Sequence, residues 1–329
     1  MKNHIIKSLL YRLYVRMSLL KPEIRFSVEL TTKCNAKCKM CTRQKLLENK
    51  CLKISEIKDE LMKKIIREML KFKRRGLGVV FTPMGLGEPL MYKNLFPLFK
   101  KISQKGIKTV LVTNGILLSE KNIGEILESG IDEVSISLNS ANRDDYKKTN
   151  GVDAYDLVVG NIKKLLKTRE EKRLIKPDVF VQYLGEKPES FEGEIKKREK
   201  IMQKNDKCYV HKIVSQAGLV KAGKETENFP CSQPMFRISI KVNGDVYPCD
   251  PALYSGSNRF EQLYLGNVKQ MSVFDDFFDK KSKRWQILDK MKKDDYSKLD
   301  CCKNCTTKNL TANCFFNIGK IRPHGYKWL

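Results

Sequence analysis

Between residues 24 and 215, short β-branched and aliphatic runs alternate with longer stretches whose apolar positions recur every three to four residues. Runs of the first kind lie at 24–31, 78–83, 108–113, 132–138, 178–183 and 208–214 and read as strands. The stretches between them read as amphipathic helices. In the first long one, Ile57, Leu61, Ile65, Met69 and Phe72 share a face, Ser55 is placed as N-cap and Gly76 as terminator. Ser119 similarly opens a helix that closes near Gly130. Strands separated each time by a helix cannot pair as tight hairpins, so the alternation predicts a parallel α/β sheet with crossover helices. Periodicity alone admits a barrel or an open doubly wound sheet. The N-terminal residues 1–22 differ, with Ile5, Leu9, Leu13 and Leu20 near helical spacing and Lys7, Arg12 and Arg16 between them. They predict an amphipathic helix that docks on the sheet core, the alternative being a membrane surface.

The pattern changes after residue 184. Residues 185–207 are charged and read as a loop and surface helix, and 216–230 reads as a linker. The chain thus divides into an N-terminal helix at 1–22, a parallel α/β unit at 23–215 and a small α+β unit at 216–329. In the last, FRISIKVNGDVYP alternates about Asn243-Gly244, a type I′ hairpin signal that would draw Cys231 and Cys249 together across paired strands. The net charge is +26, with Lys and Arg spread along the chain and dense at 58–75, 160–176 and 280–293, where they read as solvated helix faces rather than a polyanion site. No secretory h-region and no membrane-length apolar run occur, so a soluble, cytoplasmic protein is expected. In that setting eleven cysteines favour metal binding over disulfides.

Cys34, Cys38 and Cys41 stand in a C-x3-C-x2-C run, CNAKCKMC, just after the first strand. A loop leaving a strand can aim three soft thiolates at one side of a cubane iron–sulfur cluster, leaving one iron open. Closed zinc sites and ferredoxin-type clusters take four ligands. Further on come Gly85-Leu86-Gly87-Glu88-Pro89-Leu90 after the second strand, Thr113-Asn114-Gly115 at the end of the third, and Ser135-Ile136-Ser137-Leu138-Asn139 on the fourth. Glycines let a backbone approach a ligand, and a carboxylate accepts from an ammonium. Near the C-terminus Cys302 and Cys305 form a C-x2-C pair that, with Cys231 and Cys249, would complete a four-thiolate cage for zinc or an iron–sulfur cluster. Cys51 and Cys208 have no partner at ligand spacing and read as small core residues.

The order of these motifs resembles the radical S-adenosylmethionine (SAM) superfamily. The resemblance implies a partial (β/α)6 TIM-like barrel and a 4Fe-4S cluster on Cys34, Cys38 and Cys41. SAM chelates the open iron there, and reductive cleavage yields a 5′-deoxyadenosyl radical. Met40 stands where the family usually has an aromatic residue; its thioether can still pack against adenine. By the same resemblance Gly87, Glu88 and Pro89 recognise the SAM amino group. Ser137 and Asn139 resemble the family's contacts to its ribose or carboxylate, while Asn114, at the end of the third strand, is placed to hydrogen-bond the same groups and Gln182, on the fifth, to face the adenosyl moiety. The C-x12-G-x4-C element, Gly266-Asn267-Val268 and the late C-x2-C resemble the SPASM and twitch domains. A full SPASM domain holds seven cysteines and two clusters, whereas here Thr311 interrupts the pattern and only Cys314 follows. The shorter twitch form matches better, with one auxiliary 4Fe-4S cluster on Cys231, Cys249, Cys302 and Cys305 and with Cys301 and Cys314 as substitutes.

Asp250, directly after Cys249, matches the general-base aspartate of the anaerobic sulfatase-maturating enzymes. The expected activity is radical oxidation of a small hydroxylated molecule (sugar, polyol or nucleotide-linked), similar to the twitch-type alcohol dehydrogenases of aminoglycoside biosynthesis. The auxiliary cluster would accept the substrate's electron, a flavodoxin- or ferredoxin-type donor would supply the reducing electron, and the basic surface suits an anionic substrate. A second reading is radical modification of a ribosomally made peptide by crosslinking, epimerisation or carbon–carbon bonding. Only about thirty residues precede Cys34, fewer than the peptide-binding domain that many such enzymes carry. A zinc-bearing nucleic-acid-binding protein would explain the charge but not the ordered motifs.

Overall fold

The computed structural model describes residues 23–184, 202–211, 231, 233–255, 260–292, 295–296, 298–303, 305–306 and 327–328. The expected N-terminal helix, the 216–230 linker and Cys314 lie outside these residues. The chain runs β1 (Glu23–Val28), α1 (Arg43–Glu48), α2 (Asp59–Arg74), β2 (Gly78–Pro83), α3 (Leu95–Ser103), β3 (Lys108–Thr113) and α4 (Glu120–Glu128). It continues with β4 (Glu133–Asn139), α5 (Arg143–Asn150), α6 (Tyr155–Glu171), β5 (Asp178–Leu184) and β6 (Lys207–His211). Then follow α7 (Gln233–Phe236), β7 (Arg237–Ile240), β8 (Asp245–Tyr247), a 3-10 turn (Asp250–Tyr254) and β9 (Gly266–Asn267). The last elements are α8 (Val273–Phe278), α9 (Lys283–Lys292), α10 (Asp300–Lys303) and β10 (Lys327–Trp328).

Strands β1 to β6 pair in parallel in chain order and form the expected partial (β/α)6 barrel. Alternation along each strand sets its two faces: Ile24, Phe26 and Val28 pack into the core beneath the helices, while Arg25, Ser27 and Glu29 point the other way. Arg25 donates to the Thr82 hydroxyl of neighbouring β2 at 2.8 Å. The full sheet has the order β10-β6-β5-β4-β3-β2-β1-β7-β8-β9. β7 pairs in parallel with β1, so the C-terminal hairpin extends the barrel's own sheet from its first strand.

The α2 face read from the sequence is buried, with Ile65, Met69 and Phe72 at 0% exposure. Its start differs from expectation: the N-cap position is Lys58, and Ser55 lies upstream in an extended segment. There the Ser55 amide donates to the Thr32 hydroxyl at 2.8 Å and its carbonyl accepts from the Thr32 amide at 3.0 Å. Ser55 therefore braces the cysteine loop instead of capping a helix. Ser119 does cap α4, accepting from the Asn122 amide at 3.3 Å.

The hairpin turn also differs. Gly244 has φ +98°, whereas Asn243 is absent from the positive-φ residues that a type I′ turn requires at both central positions. Lys241 and Asp245 pair across a three-residue loop closed by the Gly244 amide on the Lys241 carbonyl at 2.8 Å. The extra residue gives the bulged form in which a lone left-handed glycine suffices.

The C-terminal helices dock on the barrel through α2. Phe72 meets Phe274 and Phe277 edge-on, each with ring centroids at 5.1 Å, and Phe26 at 5.5 Å. Beside it the buried Glu68 carboxylate accepts from the Phe274 amide at 2.9 Å and the Ser272 hydroxyl at 3.2 Å, tying down the first turn of α8.

Candidate active site

The loop after β1 carries the cysteine triplet and is held from two sides. On one side the Glu88 amide donates to the Lys33 carbonyl at 2.7 Å, and a Cβ at Gly87 would lie 2.0 Å from the Thr31 carbonyl oxygen. Gly87 thus serves backbone-on-backbone packing against the cysteine loop. On the other side the amides of Lys37 and Lys39 donate to the Asn150 and Thr149 carbonyls at 3.0 and 2.8 Å. Gly151, at φ +68°, keeps clear of the Lys37 carbonyl, which a Cβ would approach to 2.4 Å.

Held in this way, Cys34, Cys38 and Cys41 line a cavity of about 250 Å³ at the C-terminal ends of the strands, together with Met40, Gly87, Glu88, Pro89, Asn114, Ser137, Asn139 and Gln182. The residues expected around SAM therefore share one cleft. Burial, and then the neighbouring Cys41 and Cys34 thiolates, push the Cys38 thiol up to about 12. Burial also raises Cys34 and Cys41, against the Ala36 amide and Asn114 side chain at Cys34 and the Arg43 amide at Cys41. Three thiolates on one buried cavity need a cationic group to offset their charge. A cubane, in which each thiolate binds its own iron, supplies one.

Glu88 is committed to the protein more than expected. Its carboxylate accepts from the Thr113 hydroxyl at 2.7 Å, the Asn114 amide at 2.8 Å and the Leu90 amide at 3.1 Å, so three of about four acceptor sites are taken. Burial raises its pKa against those donors. It fastens the end of β3 to the GLGEPL turn and keeps one lone pair for a ligand.

Asn139 has the opposite character. It sits at an irregularity in the β4–β5 register with φ +65°, is 8% exposed, and its Oδ1 has no hydrogen-bond partner among the described residues. A buried, unpaired acceptor held in a strained conformation on a cavity wall fits a ligand that donates to it. Its Nδ2 donates to Asn150 Oδ1 at 2.9 Å, which also lies 3.5 Å from the Cys38 sulfur. Gln182 accepts from the Tyr209 hydroxyl at 3.1 Å, which in turn contacts Ser135 at 3.1 Å.

Cys231, Cys249, Cys302 and Cys305 line a second, small cavity walled by Pro234, Pro248, Pro251, Leu263, Met291 and Tyr296. Cys301 is buried in the same cluster, its sulfur 3.9 Å from that of Cys302, but is not a wall residue. Burial raises the Cys249 thiol most, followed by the charges of Cys231 and Cys305, and the Cys302 thiol is raised by its bond with Cys301 and by burial. Four cysteines on one mostly apolar pocket again suit an iron–sulfur cluster, whose irons each take one thiolate. Cys208 is buried as expected, but Cys51 is exposed: it follows the last turn of α1, its amide bonded to the Leu46 carbonyl, where no core packs over it.

Asp250, expected as a general base, lines neither cavity. Its carboxylate accepts from the Ser239 hydroxyl at 2.9 Å and pairs with Arg237 at 3.4 Å, so the protein's own donors hold it. The 3-10 turn that it starts runs to Tyr254, with Cys249 as its N-cap. Tyr254 lines the SAM-side cleft, and its carbonyl accepts from the Thr42 hydroxyl. Glu29 was not singled out by sequence reasoning, because a lone Glu at a strand end carries no signature. Buried at 3% exposure, it accepts from the Leu86 amide at 3.0 Å and the Val242 amide at 3.2 Å, joining the GLGEPL turn to the hairpin. Asn150 was missed for the same reason.

Residues 28–196 match the Radical SAM superfamily and residues 231–306 match SPASM, an iron–sulfur cluster-binding domain. The chain belongs to the radical SAM superfamily. Its cofactors are accordingly a 4Fe-4S cluster and SAM, with auxiliary iron–sulfur binding in the SPASM region. Over 155 residues it is 28% identical to a tungsten-containing aldehyde ferredoxin oxidoreductase cofactor-modifying protein of Pyrococcus furiosus (47% of this chain, 42% of that protein). Over 130 residues it is 36% identical to a probable GTP 3′,8-cyclase of Methanococcus maripaludis (38% of this chain, 40% of that protein). The chain thus spans less than half the length of these curated relatives. Among solved structures, BtrN in complex with AdoMet and 2-DOIA shares the fold, with TM-score 0.57, 17% identity, and 87% of this chain and 93% of that chain covered. Streptococcus suis SuiB bound to precursor peptide SuiA does so with TM-score 0.57, 15% identity, and 92% of this chain and 74% of that chain covered. Among the described residues no helix is long and apolar enough to cross a membrane.

Proposed function

We propose that this chain is a radical SAM oxidoreductase that removes hydrogen from a small hydroxylated molecule, with Cys34, Cys38 and Cys41 holding the SAM cluster and Cys231, Cys249, Cys302 and Cys305 one auxiliary 4Fe-4S cluster. When bound, the cluster and SAM supply a radical able to take a hydrogen atom from an unactivated carbon. The chain's part is positional. Asn139 offers SAM an unpaired acceptor, Met40 a polarisable wall and Asn114 an amide beside Cys34. The observation that carries the oxidative reading is the short link between the two thiol sites: Cys249 opens the turn whose far end, Tyr254, lines the SAM cleft. Oxidation of an alcohol needs a place for the electron left on the substrate, and the auxiliary site lies at the other end of that turn. Asp250, paired with Arg237, anchors the turn in this reading, and the proton released from the substrate hydroxyl passes to solvent water.

The test is an anaerobic incubation with SAM, a reduced flavodoxin- or ferredoxin-type donor and panels of sugars, polyols and phosphorylated or nucleotide-linked derivatives. Formation of 5′-deoxyadenosine together with a product lighter by two hydrogens is the expected result. Turnover on a ribosomally made peptide with no turnover on the small-molecule panels would replace this reading with the peptide one, for which the fold shared with SuiB is the present support.

A further inference from the structure

Arg284, on α9, is 1% exposed. Its Nε donates to Asp276 Oδ2 at 2.9 Å, and its Nη1 to the carbonyls of Pro234 and Arg237, both at 2.9 Å. Its guanidinium carbon stands 5.3 Å from the Phe277 ring centroid. Nη2 is buried with no acceptor among the described residues. A clamp of α9 to α8 through Nε and to the start of the hairpin through Nη1 leaves the Nη2 donor unexplained, and burying such a donor unpaired is costly.

Its surroundings suggest what it is for. Pro234, whose carbonyl Arg284 holds, is a wall residue of the four-cysteine cavity, and none of the described residues lining that cavity is basic. The negative groups that act on the guanidinium are Asp276 and, as thiolate, Cys249. A cubane on four thiolates is anionic and gains a further negative charge on reduction. In an apolar cavity, a fixed buried cation favours the more negative state.

We propose that Arg284 is a positioning residue for the auxiliary site, a buried positive charge that stabilises the reduced form of a cluster held by Cys231, Cys249, Cys302 and Cys305. The proposal rests on the reading of those four cysteines as cluster ligands. The process it assists is a one-electron reduction, the electron coming from the substrate in turnover and from dithionite in the test.

The test uses the full-length chain with Cys34, Cys38 and Cys41 replaced by alanine, reconstituted anaerobically with iron and sulfide and titrated under electron paramagnetic resonance. In an added Arg284→Gln variant, the ratio of reduced to oxidised cluster at a fixed potential is expected to fall at least tenfold, a negative shift of about 59 mV for a one-electron couple. Asp276→Asn, which removes the counter-charge, is expected to shift the ratio the other way, and its sign decides the matter should Arg284→Gln fail to load iron. Iron-loaded variants that titrate with the parent overturn the role of Arg284 alone. A parent that binds no iron overturns the ligand reading and this inference with it.

Discussion

Replacing Gly87 by alanine should uncouple the cysteine loop from the GLGEPL turn. The added Cβ would lie 2.0 Å from the Thr31 oxygen, 2.6 Å from its carbonyl carbon and 2.8 Å from the Lys33 oxygen. All three are backbone atoms, so no side-chain rotation relieves the clash, and the two segments must separate by about 1.4 Å for the Thr31 oxygen to reach ordinary contact at about 3.4 Å. That movement stretches the 2.7 Å bond between the Glu88 amide and the Lys33 carbonyl. Overpacking of this kind costs about 1–3 kcal/mol in stability. The cost to chemistry is larger, since a misplacement of about 1 Å can lower a rate about 100-fold. The assay is 5′-deoxyadenosine formation from SAM under dithionite, with iron per chain measured on the same samples. Gly87→Ala should keep most of its iron and lose most of its SAM cleavage. A variant that cleaves SAM at the parental rate would refute the claim that this approach sets the cleft.

Four further outcomes are expected. Anaerobic reconstitution should give about eight irons per chain, falling to about four in the Cys34/Cys38/Cys41→Ala variant; four falling to none would remove the auxiliary cluster. Asn150→Ala deprives Asn139 of the acceptor that orients it, and SAM affinity measured by equilibrium dialysis should drop about tenfold, the equivalent of one buried hydrogen bond. Asp206→Ala leaves the fully buried Arg169 guanidinium without its counter-charge and should cost about 3–5 kcal/mol, read from urea midpoints. Phe72→Ala opens the ring cluster between α2 and α8 and should cost a similar amount, about 3–5 kcal/mol.

The parallel barrel was legible because crossover α/β architecture leaves its mark locally. Each strand from β1 to β6 is a short apolar run, and each buried helix face repeats with the helical period, so Ile65, Met69 and Phe72 could be assigned to the core in advance. Ser119 could be read as a cap because a cap acts within one turn. Ser55 could not, because its partner Thr32 is 23 residues away and competes for the same hydrogen-bonding groups. The Asn243-Gly244 turn shows the same limit: the pair predicts a reversal, but whether the loop has two residues or three depends on how β8 registers against β7.

By itself the sequence determined the chemistry available to this protein. Three cysteines at loop spacing, four more around a hairpin and a C-x2-C pair, and the motifs at the strand ends are covalent facts that no folding alters. Only the tertiary structure decided how that chemistry is held. Glu29 joins two turns more than 150 residues apart, Asn150 reaches the sulfur of Cys38, Tyr254 brings the auxiliary cysteine segment to the cleft of the cysteine triplet, and Arg284 is buried against Pro234, a wall residue of the four-cysteine cavity. The reason is physical. A ligand motif needs only local spacing to be recognised, whereas burial, an unpaired donor or a buried countercharge is a property of what packs around a residue, and that is set by contacts distant in the chain.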